Sequence, residues 1–189
     1  KRSKALSEIV VATTDKSEDD VLELESEKAG VKCYRGSERN VLKRIYDAAR
    51  LYEADVIVRV CADSPFIAVE SMDRMIKRHK KASNELTYNG IHDRGVPPGS
   101  ITEVISINAL KQSEHLAKRD DEREHVTMFL KRNMNAFKIE TYTVEPNIRK
   151  PNYQLSVDTA QDLDVVRRIN DVIKADTQYV ALKEIIKII

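Results

Sequence analysis

The sequence has 189 residues, of which 41% are hydrophobic and 33% are charged, and its formal net charge is +1. This length and composition predict one soluble globular domain with a substantial core, and they exclude a disordered chain. The near-neutral charge gives no indication of binding to nucleic acid or to a membrane surface, and no apolar run approaches the ~20 residues that span a bilayer. Cys33 and Cys61 stand singly and form no C-x-x-C pair, so we expect reduced thiols and a cytoplasmic protein.

Strands and helices alternate in the first third of the chain. In order, the pattern predicts a strand over 9–14, a helix capped by Ser17 that ends near Gly30, a strand over 31–34, an amphipathic helix over 38–53 and a strand over 56–61. Such a series with short links is typical of a parallel sheet covered by helices. Since the last strand is almost uninterruptedly apolar, we expect it at an inner position of the sheet.

The rest of the chain is less regular. The predicted segments are a helix over 69–81, strands over 86–88 and 102–107, helices over 109–116 and 120–131, strands over 137–144 and 155–157, and helices over 160–174 and 179–189. The loop over 89–100 holds three glycines and two prolines, and a loop of about a dozen residues is more often functional than idle. Residues 1–6 resemble the end of a helix, so we expect a segment before Lys1.

Two aspartates, Asp63 and Asp158, each follow directly on an apolar, β-branched run. In an open α/β sheet the residues just past the carboxyl ends of strands line the ligand crevice. The two carboxylates can therefore share a divalent cation there, and Mg²⁺ favours one or two carboxylates together with substrate phosphates. This pattern indicates a phosphate-handling enzyme. The alternative is that each aspartate only caps the next helix.

Basic residues cluster in the same predicted region. The turn Arg35-Gly36-Ser37 lies where the second strand ends, where Gly36 permits close approach of a ligand and Ser37 can present amides to an anion. Arg44, on the following helix, can reach the same face. Arg59 lies inside a strand suited to burial, so it needs an anionic partner, which is Asp63, another acid or a ligand carboxylate.

Further candidates lie downstream of the long loop. Glu103 is an acid within an apolar strand and needs a partner, and His125 can either donate to a substrate oxygen or be a structural histidine. His79, His92 and His115 show no metal-ligand spacing. The sequence contains no G-x-S-x-G, no H-E-x-x-H and no P-loop motif.

Six short motifs in order resemble one known family. They are Val10-Val11-Ala12-Thr13-Thr14; Tyr34-Arg35-Gly36-Ser37-Glu38 with Val41-Leu42 and Arg44; Arg59 to Pro65; Pro98-Gly99 with Glu103-Val104; Arg123-Glu124-His125-Val126-Thr127; and Val157-Asp158-Thr159 with Asp162. The chain resembles the spore coat polysaccharide biosynthesis-type cytidylyltransferases, which are related to CMP-sialic acid and CMP-Kdo synthetases. Each motif alone is weak, but their order is specific.

The resemblance implies a nucleotide-diphospho-sugar transferase fold, a three-layer α/β/α sandwich of Rossmann-like type with a mostly parallel sheet, here as a single domain over 1–189. It implies Mg²⁺-dependent transfer of CMP from CTP to a sugar or sugar acid, with release of pyrophosphate, in surface polysaccharide synthesis. The metal-binding and catalytic residues would be Asp63 and Asp158. The nucleotide-binding residues would be Arg35, Gly36, Ser37, Arg44 and Ala62, and the substrate-binding residues would be Arg59, Glu103, Arg123 and His125. The partners would be CTP and the sugar substrate, with a homodimer left open.

Departures from the family pattern are also visible. The strand and the glycine- and arginine-rich loop that embrace the triphosphate in the family are absent, so we expect them in a segment that precedes Lys1. Ala62 replaces the usual glycine before the metal-binding aspartate, and Ile101 replaces the usual aspartate of the loop. Asn40 and Ala68 stand where acids are common.

Two alternatives remain open at this stage. A glycosyltransferase of the same fold would carry an Asp-x-Asp metal motif, and Asp162-Leu163-Asp164 has that spacing, although it lies in a helical pattern. A catalytically weakened protein that binds a nucleotide or sugar is favoured by Ala62 and Ile101.

Overall fold

The computed structural model describes residues 2–90, 95–173 and 180–189. The strands are β1 (Val10–Thr14), β2 (Lys32–Gly36), β3 (Val56–Arg59), β4 (Leu86–Tyr88), β5 (Glu103–Ser106) and β6 (Ile139–Thr141). The α-helices are α1 (Asp20–Lys28), α2 (Val41–Leu51), α3 (Val69–Ala82), α4 (Ile107–Leu116), α5 (Asp120–Glu124), α6 (Met128–Arg132), α7 (Ala160–Ile173) and α8 (Leu182–Ile188). Across these ranges, none of the helices has the length and apolar character needed to cross a bilayer.

The strands form two sheets. β1 and β2 pair in parallel, with Val10 opposite Lys32 and Thr14 opposite Gly36. The second sheet has the strand order β3-β5-β4-β6, in which β5 runs antiparallel to both of its neighbours and β4 runs parallel to β6. The carboxyl ends of β3, β4 and β6 therefore lie at the same sheet edge as the amino end of β5.

Helices cover both faces of the four-stranded sheet. Successive residues of β5 point to opposite faces, so two neighbouring residues show what packs on each face. Ile105 is fully buried in a cluster with residues of α2, α4 and α6, such as Leu42, Leu110 and Leu130. Val104 is fully buried on the other face, against Met75 and its neighbours on α3. A third cluster joins α7 and α8 to the loops near Leu155. The predicted three-layer α/β/α class is confirmed.

The predicted inner position of strand 56–61 is wrong for the described part of the chain. β3 ends at Arg59, it is the terminal strand in the order, and each of its residues is only half-buried. Val56 and Val58 pack towards α3 while Ile57 packs against the opposite cluster, so helices cover the apolar side chains of both faces. The apolar composition of β3 therefore reflects its coverage by helices on both faces and does not mean that β3 lies between two other strands. Two of the four strand pairings are parallel, so the sheet system is mixed.

Other predicted boundaries also change. Helix 120–131 is divided into α5 and α6, because Val126 is fully buried and Thr127 turns its hydroxyl inwards. Residues 155–157 form no strand, and residues 2–6 are not helical. Ser17 begins a single-turn 3-10 helix (Ser17–Asp19) and does not cap α1.

Asp19 occupies the N-cap position of α1, but its side chain makes no capping hydrogen bond and contacts the end of β1 instead. Its carboxylate accepts hydrogen bonds from the Thr13 and Thr14 hydroxyls at 2.6 Å each and from the Thr14 amide at 3.0 Å. These hydrogen bonds, led by that from Thr13, lower the pKa of Asp19 to about 2. The carboxylate thereby ties the end of β1 to the start of α1. Lys174 and Tyr179, at the predicted ends of two helices, and His92 lie outside the described residues.

We expect His79 to make the stability of this fold depend on pH. The side chain is 2% exposed, its Nδ1 lies 3.0 Å from the Thr87 hydroxyl, and burial lowers its pKa below the ordinary value of 6.5. Because the folded state favours the neutral imidazole, the contribution of His79 to the free energy of unfolding is complete above pH 6.5, the pKa of an ordinary histidine. This contribution is lost as the pH falls through the lower pKa of the folded state. We expect the free energy of unfolding to fall between pH 7.5 and pH 5.5, and His79→Gln to flatten that fall. Urea titrations at both pH values measure it.

The exposed His115 on α4 provides the matched control. We expect His115→Gln to keep the wild-type dependence of stability on pH. An equal slope for the wild type and His79→Gln would contradict the assignment of this titration to His79.

Candidate functional site

The candidate site lies where the strands end. Arg59 of β3 is paired in register with Glu103 of β5, and Glu103 is paired with Tyr88 of β4. The Arg44 side chain, which lies against the end of β2, is close enough to Arg59 for the two positive charges to repel each other. We call this region the strand-end site and assign to it Gly36, Ser37, Arg44, Arg59, Asp63, Glu103 and Asp158.

The structure brings the segments of Asp63 and Asp158 together through the backbone. The amide of Val157 donates to the carbonyl oxygen of Asp63 at 2.9 Å, which places the next residue, Asp158, beside the Asp63 loop. Both aspartates are exposed, and within the described residues neither forms a salt bridge. The carboxylate of Asp63 accepts from the Ser64 hydroxyl at 2.9 Å, and that of Asp158 accepts from the Ser156 hydroxyl at 2.8 Å. The two carboxylates thus keep their charge available for a cation.

The helix-cap alternative for Asp158 is not what the structure has. The start of α7 is capped reciprocally: the Thr159 hydroxyl accepts from the Asp162 amide at 3.3 Å, and Asp162 Oδ2 accepts from the amides of Asp158 and Thr159 and from the Thr159 hydroxyl. The hydrogen bonds from Thr159 lower the pKa of Asp162. Asp162-Leu163-Asp164 lies inside α7 and not at a strand end, which is where an Asp-x-Asp metal motif is expected.

A glycine makes the close approach between these loops possible. The carbonyl oxygen of Pro98 accepts from the Leu155 amide at 2.9 Å, and Gly99 adopts φ +87°. A Cβ at Gly99 would lie 2.1 Å from both the carbonyl carbon of Leu155 and the amide nitrogen of Ser156. The 97–100 loop and the 155–158 segment can therefore contact each other only because residue 99 has no side chain.

Arg44 is a half-buried cation without an ion pair in the described structure. Its NH1 donates to the carbonyl oxygen of Ser37 at 2.6 Å, its Nε is buried and has no hydrogen-bond partner, and burial lowers its pKa. A Cβ at Gly36 would lie 3.2 Å from the Arg44 Cγ, so the glycine gives room for the arginine stem. An unpaired, partly buried guanidinium is an attractive site for an anion.

Arg59 and Glu103 form a salt bridge of 2.8 Å, which identifies the partner that the sequence left open. Glu103 is 4% exposed, and its other oxygen accepts from the Thr127 hydroxyl at 2.6 Å and from Lys131 at 2.7 Å. Burial alone would raise the pKa of Glu103, but Lys131 and Arg59 more than offset this, and the pKa lies below its ordinary value of 4.5. The acid is therefore a charged anchor for two cations.

Lys131, Thr127 and Tyr88 were missed as site residues by the sequence reasoning. The Lys131 ammonium lies 4.6 Å from the centre of the Tyr88 ring as well as near Glu103. The unpaired acid in an apolar strand was the available signal that cations would be found nearby. The identity of the lysine that supplies a cation depends on the break between α5 and α6. The helical pattern of the sequence does not show this break.

Four predicted site residues take other positions. Arg35 lies against α1, where its guanidinium donates to the carbonyl oxygens of Thr14 and Lys16 and pairs with Asp20 and Glu23, so we leave it out of the strand-end site. The other three are Arg123, His125 and Ala62. Arg123 donates to the Ala117 carbonyl oxygen at 2.9 Å. His125 is exposed two residues before Thr127, and Ala62 is exposed beside Asp63. Their roles in binding stay predictions.

Two of the departures from the family pattern have local explanations. Asn40 caps α2, since its Oδ1 accepts from the Lys43 amide at 3.0 Å. Ile101 is 37% exposed, and its side chain lies beside Gly90, where a Cβ would meet it at 3.1 Å.

Comparison with known proteins identifies the family of this chain. The sequence model described as cytidylyltransferase matches residues 1–186. The chain belongs to the cytidylyltransferase family. By family it is a nucleotidyltransferase. The uncharacterized protein MJ1063 of Methanocaldococcus jannaschii is 32% identical over 183 residues, which are 95% of this chain and 74% of that protein. The spore coat polysaccharide biosynthesis protein SpsF of Bacillus subtilis is 30% identical over 162 residues, which are 85% of this chain and 66% of that protein.

Solved structures show the same fold. A cytidylyltransferase from Leptospira borgpetersenii has a TM-score of 0.90 and 26% identity, with 99% of this chain and 77% of that chain covered. A CMP:2-keto-3-deoxy-manno-octonic acid synthetase in complex with CTP has a TM-score of 0.66 and 14% identity, with 92% of this chain and 84% of that chain covered. The second likeness concerns the fold only.

Gly99 provides a test of how the two aspartate loops are held together. We expect Gly99→Ala to lower the free energy of unfolding by about 2–4 kcal/mol, because the new methyl group clashes with backbone and the positive φ is strained. Urea unfolding measures the change. Gly90→Ala is the control, because its methyl group meets only the flexible Ile101 side chain and we expect a loss below about 1 kcal/mol. Equal losses for the two variants would contradict the role given to Gly99.

Proposed function

We propose that this protein transfers CMP from CTP to a sugar or sugar acid and releases pyrophosphate, as a step in surface polysaccharide synthesis. The observation that carries the proposal is the placement of two exposed carboxylates, Asp63 and Asp158, on adjacent loops. The half-buried Arg59 lies near Asp63, and the half-buried Arg44 lies near Arg59. Carboxylates for a cation and guanidinium groups for phosphates are the groups that nucleotidyl transfer needs. Family membership and the likeness to SpsF support this reading.

The residues present fit a divalent cation, which we propose to be Mg²⁺. Within the described residues no cluster of three or more His, Cys, Asp and Glu side chains could hold a metal ion, so the protein would supply only two carboxylates. Mg²⁺ suits such a site, because it is commonly held by one or two carboxylates together with substrate phosphates and water. When bound to Asp63 and Asp158, the ion would neutralise charge on the reacting phosphate.

The chain's own groups would orient the two substrates. Arg44 and the backbone at Gly36 and Ser37 lie together at the end of β2 and would hold the anionic part of the nucleotide. Arg59 would hold an anionic oxygen opposite it. With the substrates aligned, a sugar hydroxyl oxygen forms the new bond to the α-phosphorus while the bond from that phosphorus to pyrophosphate breaks.

A second candidate function is nucleotide binding without transfer. The observations that favour it are the exposed Ala62 methyl group beside Asp63 and the exposed aliphatic side chain of Ile101 on the loop. In this case CTP binds but no pyrophosphate is released.

Calorimetric titration of CTP tests the proposal. We expect binding to be tighter with Mg²⁺ than with EDTA, and Asp63→Asn and Asp158→Asn each to weaken Mg²⁺-dependent binding by about tenfold or more, since each removes a ligand charge from the ion. The exposed Asp171→Asn on α7 is the control and should bind like the wild type. Identical CTP affinity with and without Mg²⁺, or wild-type affinity in both variants, would contradict the metal site.

A transfer assay separates the two candidate functions. The protein is incubated with CTP, Mg²⁺ and a panel of neutral sugars and sugar acids that includes 2-keto-3-deoxy-manno-octonate, and pyrophosphate is measured. Release that depends on one acceptor supports transfer. Tight CTP binding with no release for any acceptor would favour the binding function.

A further inference from the structure

Glu103 is the centre of a network that leaves it no free oxygen for a ligand. One carboxylate oxygen is paired with Arg59, and the other accepts from both Thr127 and Lys131. The side chain is 4% exposed. A substrate could reach it only by displacing one of these partners, so its role is to hold other residues and not to contact the substrate directly.

Thr127 shows that this arrangement has a local cost. It occupies the N-cap position of α6, where a threonine hydroxyl usually accepts from the helix backbone and stabilises the helix. Here the hydroxyl makes no capping hydrogen bond and donates to Glu103 at 2.6 Å instead. The local sequence therefore gives up helix stability to fix the orientation of the Glu103 carboxylate.

Lys131 is fixed by two separate contacts. Its ammonium group lies 2.7 Å from Glu103 and 4.6 Å from the centre of the Tyr88 ring, and Tyr88 lies directly across from Glu103 in the sheet. A cation held by both a carboxylate and an aromatic face has little freedom to leave. Lys131 thus balances the charge on the Glu103 oxygen that Arg59 does not reach.

Arg59, at the other end of the network, keeps donors available. Its NH1 donates to Glu103 and the guanidinium also interacts with the Cys61 thiol, two contacts that do not use all five of its N–H groups. Its side chain is 24% exposed. Burial would lower the pKa of the guanidinium, but Glu103 and, to a smaller extent, the nearby Asp63 carboxylate raise it above its ordinary value. The network of Arg59, Lys131 and Glu103 carries a net charge of +1.

We propose that Lys131 is a positioning residue. It holds Glu103 in the orientation that directs Arg59 towards an anionic oxygen of a bound substrate, a carboxylate of the acceptor or a phosphate of CTP. Without Lys131, Glu103 rotates between partners and Arg59 moves with it, so binding of that oxygen weakens while the phosphate-transfer step itself is little changed. This inference rests on the proposed function and assigns to it a residue that does not contact the substrate.

The test compares Lys131→Met, Lys131→Arg and the control Lys111→Met, which changes an exposed lysine on α4. We expect Lys131→Met to raise either the KM for the acceptor or the Kd for CTP by about tenfold, with kcat within about threefold of the wild type. A change in KM alone identifies the acceptor as the source of the oxygen, and a change in Kd identifies CTP. Lys131→Arg, which restores the cation, should recover to within about threefold of the wild type.

Two results would overturn the proposal. One is that Lys131→Met and Lys111→Met give equal KM and Kd values. The other is that Lys131→Met lowers only the thermal midpoint, which would show a purely structural role.

A ligand-free measurement separates this proposal from the proposed function. The Arg59 Nε–H signal is followed by ¹⁵N NMR in the three variants and the wild type. If the wild type neither binds CTP nor transfers CMP, the proposed function fails, and this signal alone decides the positioning role. It should shift or broaden in Lys131→Met and return in Lys131→Arg, and an unchanged signal in Lys131→Met would overturn the proposal.

Discussion

The backbone amide of Val157 donates to the carbonyl oxygen of Asp63, and the amide of Leu155 donates to that of Pro98, both at 2.9 Å. These two hydrogen bonds connect segments that are more than 50 residues apart, and they place Asp158 next to Asp63. They need a glycine at residue 99, because any side chain there would occupy the space of the Leu155–Ser156 peptide. The proposed metal site therefore depends on a contact between loops and not on a strand pairing.

The charges of the strand-end site follow two different rules. Arg59 and Lys131 share one buried carboxylate, so burial of these cations is compensated inside the protein. Arg44 has no such carboxylate, and burial lowers its pKa. The compensated pair can be held rigidly, whereas Arg44 gains most from an anion that arrives with the substrate. This difference between Arg44 and Arg59 agrees with the proposed site, in which Arg44 binds a nucleotide phosphate near β2 and Arg59 positions a second anionic group at β3.

The sequence predicts the local elements of this fold better than their arrangement. The strand at 56–59 was predicted from its apolar residues, but the pattern could not distinguish a strand between two strands from one covered by helices on both faces. The division into α5 and α6 was not visible, because it depends on Thr127 turning towards Glu103, a residue 24 positions away. Tertiary contacts decided both outcomes.

The same distinction applies to the site. Asp63 and Asp158 were predicted as site residues because each follows an apolar run, and Arg44 because it lies on the helix after the Arg35-Gly36-Ser37 turn; their roles in binding stay predictions. Arg35, in the same motif as Ser37, is instead held by the Thr14 carbonyl oxygen and by Asp20 of α1, contacts between distant residues that the motif does not show. Lys131 lies on a short helix whose position the pattern did not predict. Residues that act through another side chain leave no spacing signal of their own.

A double-mutant cycle on Asp63 and Asp158 tests the central claim, that the two carboxylates share one ion with the nucleotide. The Kd for CTP in the presence of Mn²⁺, a spectroscopic substitute for Mg²⁺, is measured for the wild type, both Asn variants and the double variant. If the ion is shared, the second substitution costs much less than the first, with a coupling energy of at least about 1 kcal/mol. Independent losses that add to within about 0.3 kcal/mol would show that the two carboxylates do not hold one ion and would contradict the account.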